Sequence, residues 1–353
     1  MKILITFEHG AIAIHAVDFL RMLKSRGHSL YFLKISTDNL NDPHGWIAQS
    51  CTILTHLANV NQYDMWLYDV TSWDLPRSPL NMLFESYTGK LACINYEDGY
   101  GFFLNRVSDA VVDKTLFFMN NTLRIDITKY DTRVRSKLVL STSYISNSQD
   151  FKKMSVAFRN KNKRAIFTGS ITGFSESGDP EELKCRIKVP MALINAGIPC
   201  FYKIYNSDPG YKSLLKEVPD EYITSHLPRQ VFLSETVNSM IILSLKGNGY
   251  TVNRFFEGLA SGGLVFSTKF QHAANFIGCG IAGTHYVEIM WDGSDVVEKF
   301  NYYINNIEEA EHIAANGRKL WEEYSMLDAN NILPASVIDN IVSQIKNISG
   351  VEI

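Results

Sequence analysis

The sequence predicts an α/β protein built from two doubly wound parallel sheets, and three stretches carry that prediction. The first 36 residues read strand, helix, strand; residues 165–205 repeat the order; and residues 241–268 repeat it again with a glycine-bearing loop before the helix. Elements so closely spaced call for parallel strands with right-handed crossovers. With 353 residues the chain has material for two domains of ordinary size.

In the first domain, placed over residues 1–150, Ile3, Leu4, Ile5 and Phe7 form a buried strand and Glu8-His9-Gly10 the loop that follows. Val17, Leu20 and Leu23 share a helix face. Arg26-Gly27-His28 closes that helix, with Gly27 as C-cap and His28 at the negative end of the dipole, before a strand from Leu30 to Leu33. Ligands of doubly wound sheets bind beyond the carboxyl ends of the strands, which makes Glu8, His9 and, within the next helix, His15 candidates for ligand binding or general base catalysis. The alternative for these three is an exposed polar loop. Tyr63 to Asp69 reads as a strand, and Lys90 to Tyr96 as another that ends at Glu97-Asp98-Gly99. A carboxylate at such an end can take the proton of an arriving hydroxyl, so Glu97 and Asp98 are rival bases, although Asp98-Gly99 is also a good turn sequence. Phe117-Phe118 and Lys137 to Ser141 complete the domain, and the polar stretch Ser146 to Asn162 reads as a linker.

The second domain is placed over residues 164–330. Ala165 to Phe167 is its first strand and Thr168-Gly169-Ser170 the exit loop; a helix from about Pro180 to Ala196, kinked at Pro190 and capped by Gly197, leads to the strand Cys200 to Tyr205. Leu233 to Met240 reads as a helix and Ile241 to Ser244 as a strand. Lys246, Gly247, Asn248, Gly249 and Tyr250 then enter a helix at about Thr251, whose hydroxyl can cap it. Ser261, Gly262 and Gly263 end that helix, and Leu264 to Phe266 is a buried strand. Glycines before a helix allow close backbone approach, and the helix N-terminus offers unpaired N–H groups, which together make a seat for phosphate. Arg254 and Glu257, three apart, share a face and supply a cation for phosphate and a carboxylate for sugar hydroxyls, or else simply pair with one another. Tyr286 to Trp291 reads as the last strand, residues 307–324 as an amphipathic helix, and residues 331–353 as a terminal helix with Val337, Ile338, Ile341, Val342 and Ile345 on one apolar face.

Composition limits the function classes. A hydrophobic content of 46% with 12% aromatics describes a folded chain, and a net charge of -3 gives no general pull toward nucleic acid or anionic membrane. The five cysteines are scattered and form no Cys-x-x-Cys pair, which fits a reduced, intracellular protein and argues against zinc. The apolar opening MKILITF is too short for a signal peptide, and no run reaches the roughly 18 apolar residues of a membrane helix, so a cytoplasmic protein without a transmembrane segment is expected.

The run Arg254-x-x-Glu257-x-x-Ala260-x-Gly262, after a glycine loop and before an apolar strand, resembles the C-terminal domain of glycosyltransferases with two Rossmann-like domains facing across a cleft, the GT-B architecture. The strand and Arg-Gly-His helix of the first domain are similar to its N-terminal entry, and Ala314-Ala315-Asn316-Gly317 to its C-terminal helices. The resemblance implies an N-terminal acceptor-binding domain, a C-terminal nucleotide-sugar-binding domain and a final helix that packs back on the first domain. It also implies diphosphate contacts from Gly169, Ser170, Arg186, Lys246, Gly247, Asn248, Gly249, Tyr250, Thr251 and Arg254, with Glu257 on the ribose and Tyr222 near the base. Arg186 matches the spore-maturation-like subset, with an ordinary helix-surface arginine as the alternative. Many retaining members carry two glutamates eight positions apart; Glu257 matches the second, and the first falls on Gly249. The Gly-Asn-Gly run is also similar to capsule-associated, lipopolysaccharide-modifying glycosyltransferases.

These likenesses imply a metal-independent glycosyltransferase, with no cofactor beyond a UDP- or GDP-sugar donor and with a glycan, lipid-linked or protein acceptor. No Asp-x-Asp motif is present for a metal. A nucleotide-sugar epimerase of the same architecture and a non-catalytic nucleotide- or glycan-binding module are the alternatives.

Overall fold

Strands that are apolar on both faces must be covered on both, and the first strand sets this pattern: Ile3, Leu4 and Ile5 have no exposed surface. The computed structural model describes residues 1–7, 13–34, 46–56, 59–69, 80–95, 108–120, 131–140, 148–154, 156–171, 184–205, 212–225, 227–247, 252–269, 278–328 and 333–353. The chain divides into two units, Met1–Ser143 with Leu327–Ile353, and Tyr144–Met326.

The first unit runs β1 (Lys2–Phe7), α1 (Ala13–Ser25), β2 (Ser29–Lys34), α2 (Trp46–Ser50), β3 (Thr52–Leu54), β4 (Met65–Asp69), α3 (Asn81–Ser86), β5 (Lys90–Asn95), α4 (Asp109–Lys114), β6 (Thr115–Asn120), α5 (Thr132–Arg135) and β7 (Leu138–Leu140). Its seven strands are parallel in the order β3-β2-β1-β4-β5-β6-β7, and Ile3 stands between Leu30 on β2 and Met65 on β4. Polar groups inside this core find partners: Trp66 Nε1 donates to Thr6 Oγ1 at 2.9 Å, and the Tyr68 and Thr115 hydroxyls lie 2.8 Å apart. Gly27, with φ +84°, ends α1. His28 follows the helix end, and burial, with the N-terminal ammonium and the Arg26 charge acting in the same direction, lowers its imidazole pKa.

The second unit opens with short turns at Gln149–Phe151 and Phe158–Asn160. Polarity had suggested a linker here, yet Phe151 is fully buried. There follow β8 (Asn162–Ser170), α6 (Cys185–Asn195), β9 (Cys200–Tyr205), α7 (Lys212–Leu215), α8 (Arg229–Asn238), β10 (Ser239–Ser244), α9 (Asn253–Ser261), β11 (Leu264–Thr268), β12 (Val287–Ile289), α10 (Val296–Asn305) and α11 (Ile307–Tyr324). The sheet is parallel, in the order β12-β11-β10-β8-β9, and its central strand β10 is buried along its whole length. The helix expected over Leu233 to Met240 lies earlier, because Pro228 at its N-cap, with φ −57° and ψ 141°, starts it at Arg229. The last helix, α12 (Ala335–Ser349), belongs to the first unit, where it lies on β6 and β7 with Val337, Ile341 and Ile345 buried.

Two packing details fix α9. A Cβ on Gly258 would stand 2.7 Å from Val265 Cγ2, so only glycine lets the helix lie this close to the sheet, and Gly262, at φ +67°, caps its C-terminus. The unpaired carbonyls at the ends of α8 and α9 are met by cations: the Lys161 ammonium donates to Val237 and Ser261, and Arg318 to Ala260.

Burial of the Lys161 amine, with the Arg318 charge adding to it, pushes its pKa down from 10.5 to about 8. A lowered cation pKa means that charging the amine costs stability below about pH 8, and that this cost fades as pH rises toward 10.5. Denaturation of wild type and Lys161→Met across that window will show wild type gaining up to about 3 kcal/mol relative to the variant. A pH-independent difference would contradict this.

Candidate functional site

Strands β8 and β10 are neighbours whose connections lead to opposite sides of the second sheet, β8 to β9 and β10 to β11. Such a switch point leaves a crevice beyond the carboxyl ends of the two strands, the usual ligand site of this fold type. Thr168, Gly169 and Ser170 end β8 on one side of it; Ser244 ends β10 on the other and leads into Lys246 and Gly247.

Arg186 on α6 ties these ends together. Its Nε donates to the Lys246 carbonyl at 2.8 Å and its Nη1 to the Ser170 carbonyl at 2.6 Å, with Phe167 6.0 Å away. It is therefore folded into the site instead of lying along a helix surface. A Cβ at Gly247 would collide with the Arg186 guanidinium, so any other residue there requires the hydrogen-bonded end of Arg186 to move. Burial lowers the Arg186 pKa, and the nearby charge of Arg254 acts in the same direction. Lys246 is 4% exposed, and its N–H donates to Thr268 Oγ1 at 3.0 Å.

Helix α9 brings Arg254 and Glu257 into the same cluster. Arg254 Nη2 donates to the Thr168 carbonyl at 2.8 Å and its Nη1 to Glu257 Oε2 at 2.8 Å. The sequence reading allowed this pairing as the plain alternative to ligand binding, but Glu257 is no surface residue: it is 2% exposed. Its other oxygen, Oε1, accepts from Arg229 Nη1 at 2.8 Å, and Arg229 is in turn held by Asp150 Oδ2 at 2.9 and 2.8 Å. The Phe232 ring carries both guanidiniums, with Arg229 at 4.9 Å and Arg254 at 4.1 Å from its centroid. Burial alone would lower the Arg229 pKa, but Glu257 and Asp150 outweigh it and the net shift is upward.

Two buried polar atoms lack a partner among the described residues at this end of the sheet, Ser244 Oγ and Asn253 Oδ1. Among the described residues, Arg186 and Arg254 each spend two of their five N–H donors on the protein, and no carboxylate pairs with Arg186. Two guanidiniums at the N-terminal end of a helix form an electrostatic seat for an anion.

Of the sequence candidates, Gly169, Ser170, Arg186, Lys246, Gly247, Arg254 and Glu257 converge here. Asn248, Gly249, Tyr250 and Thr251 lie outside the described residues, as do Glu8, His9, Glu97 and Asp98. The helix expected to start at Thr251 starts at Asn253 instead, with Val252 in the cap position and no side-chain cap. His15 falls within α1, and Tyr222 packs against Tyr202 with ring centroids 5.4 Å apart. Sequence reasoning missed Arg229, Asp150 and Phe232. Arg229 did leave a signal: a cation in the first turn of a helix opposes the dipole, so its presence after Pro228 requires a compensating carboxylate.

Replacing Gly247 with Ala should displace the Arg186 guanidinium, break its bonds to Lys246 and Ser170, and destabilise the protein by about 1–3 kcal/mol. Chemical denaturation measures this, and an unchanged midpoint would show that the loop yields freely.

No protein-family model and no curated protein matches the chain. Solved structures do. A glycosyltransferase from Rickettsia africae ESF-5 is 12% identical, with a TM-score of 0.56 over 98% of each chain. Anabaena Alr3699/HepE in complex with UDP-glucose is 10% identical, with a TM-score of 0.55 over 99% of this chain and all of the other. The S. aureus MnaA structure with UDP is 10% identical, with a TM-score of 0.53 over 100% of this chain and 99% of its own. With two parallel Rossmann-like sheets and such neighbours along its whole length, the chain has the GT-B fold.

Proposed function

We propose that this protein is a glycosyltransferase that moves a sugar from a nucleotide-diphosphate sugar to a hydroxyl acceptor. The observation that carries the reading is the convergence of Arg186 and Arg254 on the carboxyl ends of β8 and β10, beside Gly169, Gly247 and the N-terminus of α9. Two cations and a helix end suit a diphosphate leaving group, whose negative charge grows as its bond to the sugar breaks.

In the proposed reaction an acceptor oxygen attacks the anomeric carbon, the bond from that carbon to the diphosphate oxygen breaks, and the nucleoside diphosphate departs with the electron pair. Arg186 and Arg254 take up the developing charge, with Lys246 near by, so that the protein supplies the role a divalent cation has in other transferases. Glu257 is assigned to the ribose, since each of its carboxylate oxygens keeps acceptor capacity beyond its bond to arginine. The proton of the acceptor passes to a base, for which Glu8, His9, Glu97 and Asp98 are the candidates.

The donor is proposed to be a UDP- or GDP-sugar, a choice supported by the UDP and UDP-glucose complexes of fold neighbours. The acceptor is proposed to be a glycan, a lipid-linked saccharide or a protein, and the location cytoplasmic. No helix among the described residues is long and apolar enough to cross a membrane.

Calorimetric titration with UDP, GDP, ADP, CMP and dTDP, followed by transfer assays with the sugar donors of whichever binds, tests this directly. One nucleotide should bind selectively, and Arg254→Ala should lower transfer by roughly two powers of ten or more while its melting curve stays cooperative. Wild-type turnover by that variant would sink the assignment.

A further inference from the structure

Glu257 poses a problem that Arg254 alone does not solve. The carboxylate is 2% exposed, and an ionised group so deeply buried needs a cation at all times. If Arg254 were its sole partner, a diphosphate drawing on Arg254 would have to strip a buried carboxylate of its counter-charge. Binding would work against itself.

Resting on the nucleotide-sugar reading above, we propose that Arg229 is a positioning residue that keeps Glu257 neutralised so that Arg254 can be shared with the donor diphosphate. The geometry supports a division of labour. Arg229 takes Oε1 and Arg254 takes Oε2, each at 2.8 Å, so neither guanidinium blocks the other. Phe232 lies under both, which holds their planes while leaving the outer N–H donors to other partners. Asp150 clamps Arg229 from the far side through Nε and Nη2, so Arg229 is fixed on Glu257 and does not follow an incoming anion. Arg254 has no such second carboxylate among the described residues; its other bond is to the neutral Thr168 carbonyl. The relay Asp150–Arg229–Glu257–Arg254 thus alternates in charge along its length and ends on the arginine at the phosphate seat.

The test is calorimetric titration of UDP and, in parallel, GDP into wild type, Arg254→Ala, Arg229→Ala, Arg229→Lys, Glu257→Gln and the double variant Arg229→Ala with Glu257→Gln. Arg229→Ala should weaken binding of the preferred nucleotide about tenfold, because Arg254 is then held by an otherwise unpaired carboxylate. Removing that charge in the double variant should return the affinity to that of Glu257→Gln alone, and Arg229→Lys should keep most of the wild-type affinity. Melting curves of all variants report folding separately.

If Arg229→Ala binds as tightly as wild type while Arg254→Ala does not, the positioning role is refuted and the nucleotide seat stands. If Arg229→Ala is weak and the double variant binds more weakly than Glu257→Gln alone, Arg229 has a packing role only and the proposal falls. No binding of either nucleotide by wild type would overturn the seat itself, and the inference with it.

Discussion

A carboxylate with almost no access to water must be answered by cations, and Glu257 is where that requirement shapes the second unit. The answer comes from two helices and a turn: Arg254 from α9 itself, Arg229 from the start of α8, and Asp150 behind it from the turn at Gln149–Phe151. Phe232 on α8 gives both guanidiniums a common surface. Networks of this kind add little net stability compared with apolar packing, because taking charges out of water offsets much of their attraction. What they define is direction. The planes and remaining donors of Arg254 are set before any ligand arrives, which is the preorganisation that electrostatic catalysis depends on.

The fold was largely legible because parallel strands buried on both faces leave a strong trace. Residues 240–243 and 264–266 are continuous apolar runs bounded by polar or glycine residues, as strands buried on both faces read, and they lie within β10 and β11 respectively. Short edge elements left no such trace: β3 has three residues, mostly exposed, and α5 has four. Boundaries moved where a backbone rule outweighed periodicity, as at Pro228, which begins α8 four residues ahead of Leu233. In the site, Arg254 and Glu257 could be paired from spacing alone, since residues three apart on a helix meet. Arg229 lies 28 positions from Glu257 and Asp150 lies 79 from Arg229, distances that only the tertiary fold closes.

The recognisable run around α9 turns out to mix two kinds of constraint. Gly258 and Gly262 answer to packing and to the helix end, and Gly247 to the Arg186 side chain above it. Arg254 and Glu257 answer to charge. A resemblance that rests on all of them therefore testifies to the scaffold more firmly than to the chemistry, and the arginine cluster is the part that speaks of a ligand.

The terminal helix α12 lies on β6 and β7, although nearly two hundred residues separate them in sequence and the whole second unit, Tyr144–Met326, comes in between. During synthesis the second unit emerges as one continuous piece and has all its parts at hand before α12 exists. The first unit, begun earlier, keeps an uncovered apolar face on its last strands until the ribosome has delivered residues 335–349. Its completion is thus timed by translation of the segment that follows its neighbour, and a released polypeptide ending near residue 326 would hold every element of the second unit while lacking the last helix of the first.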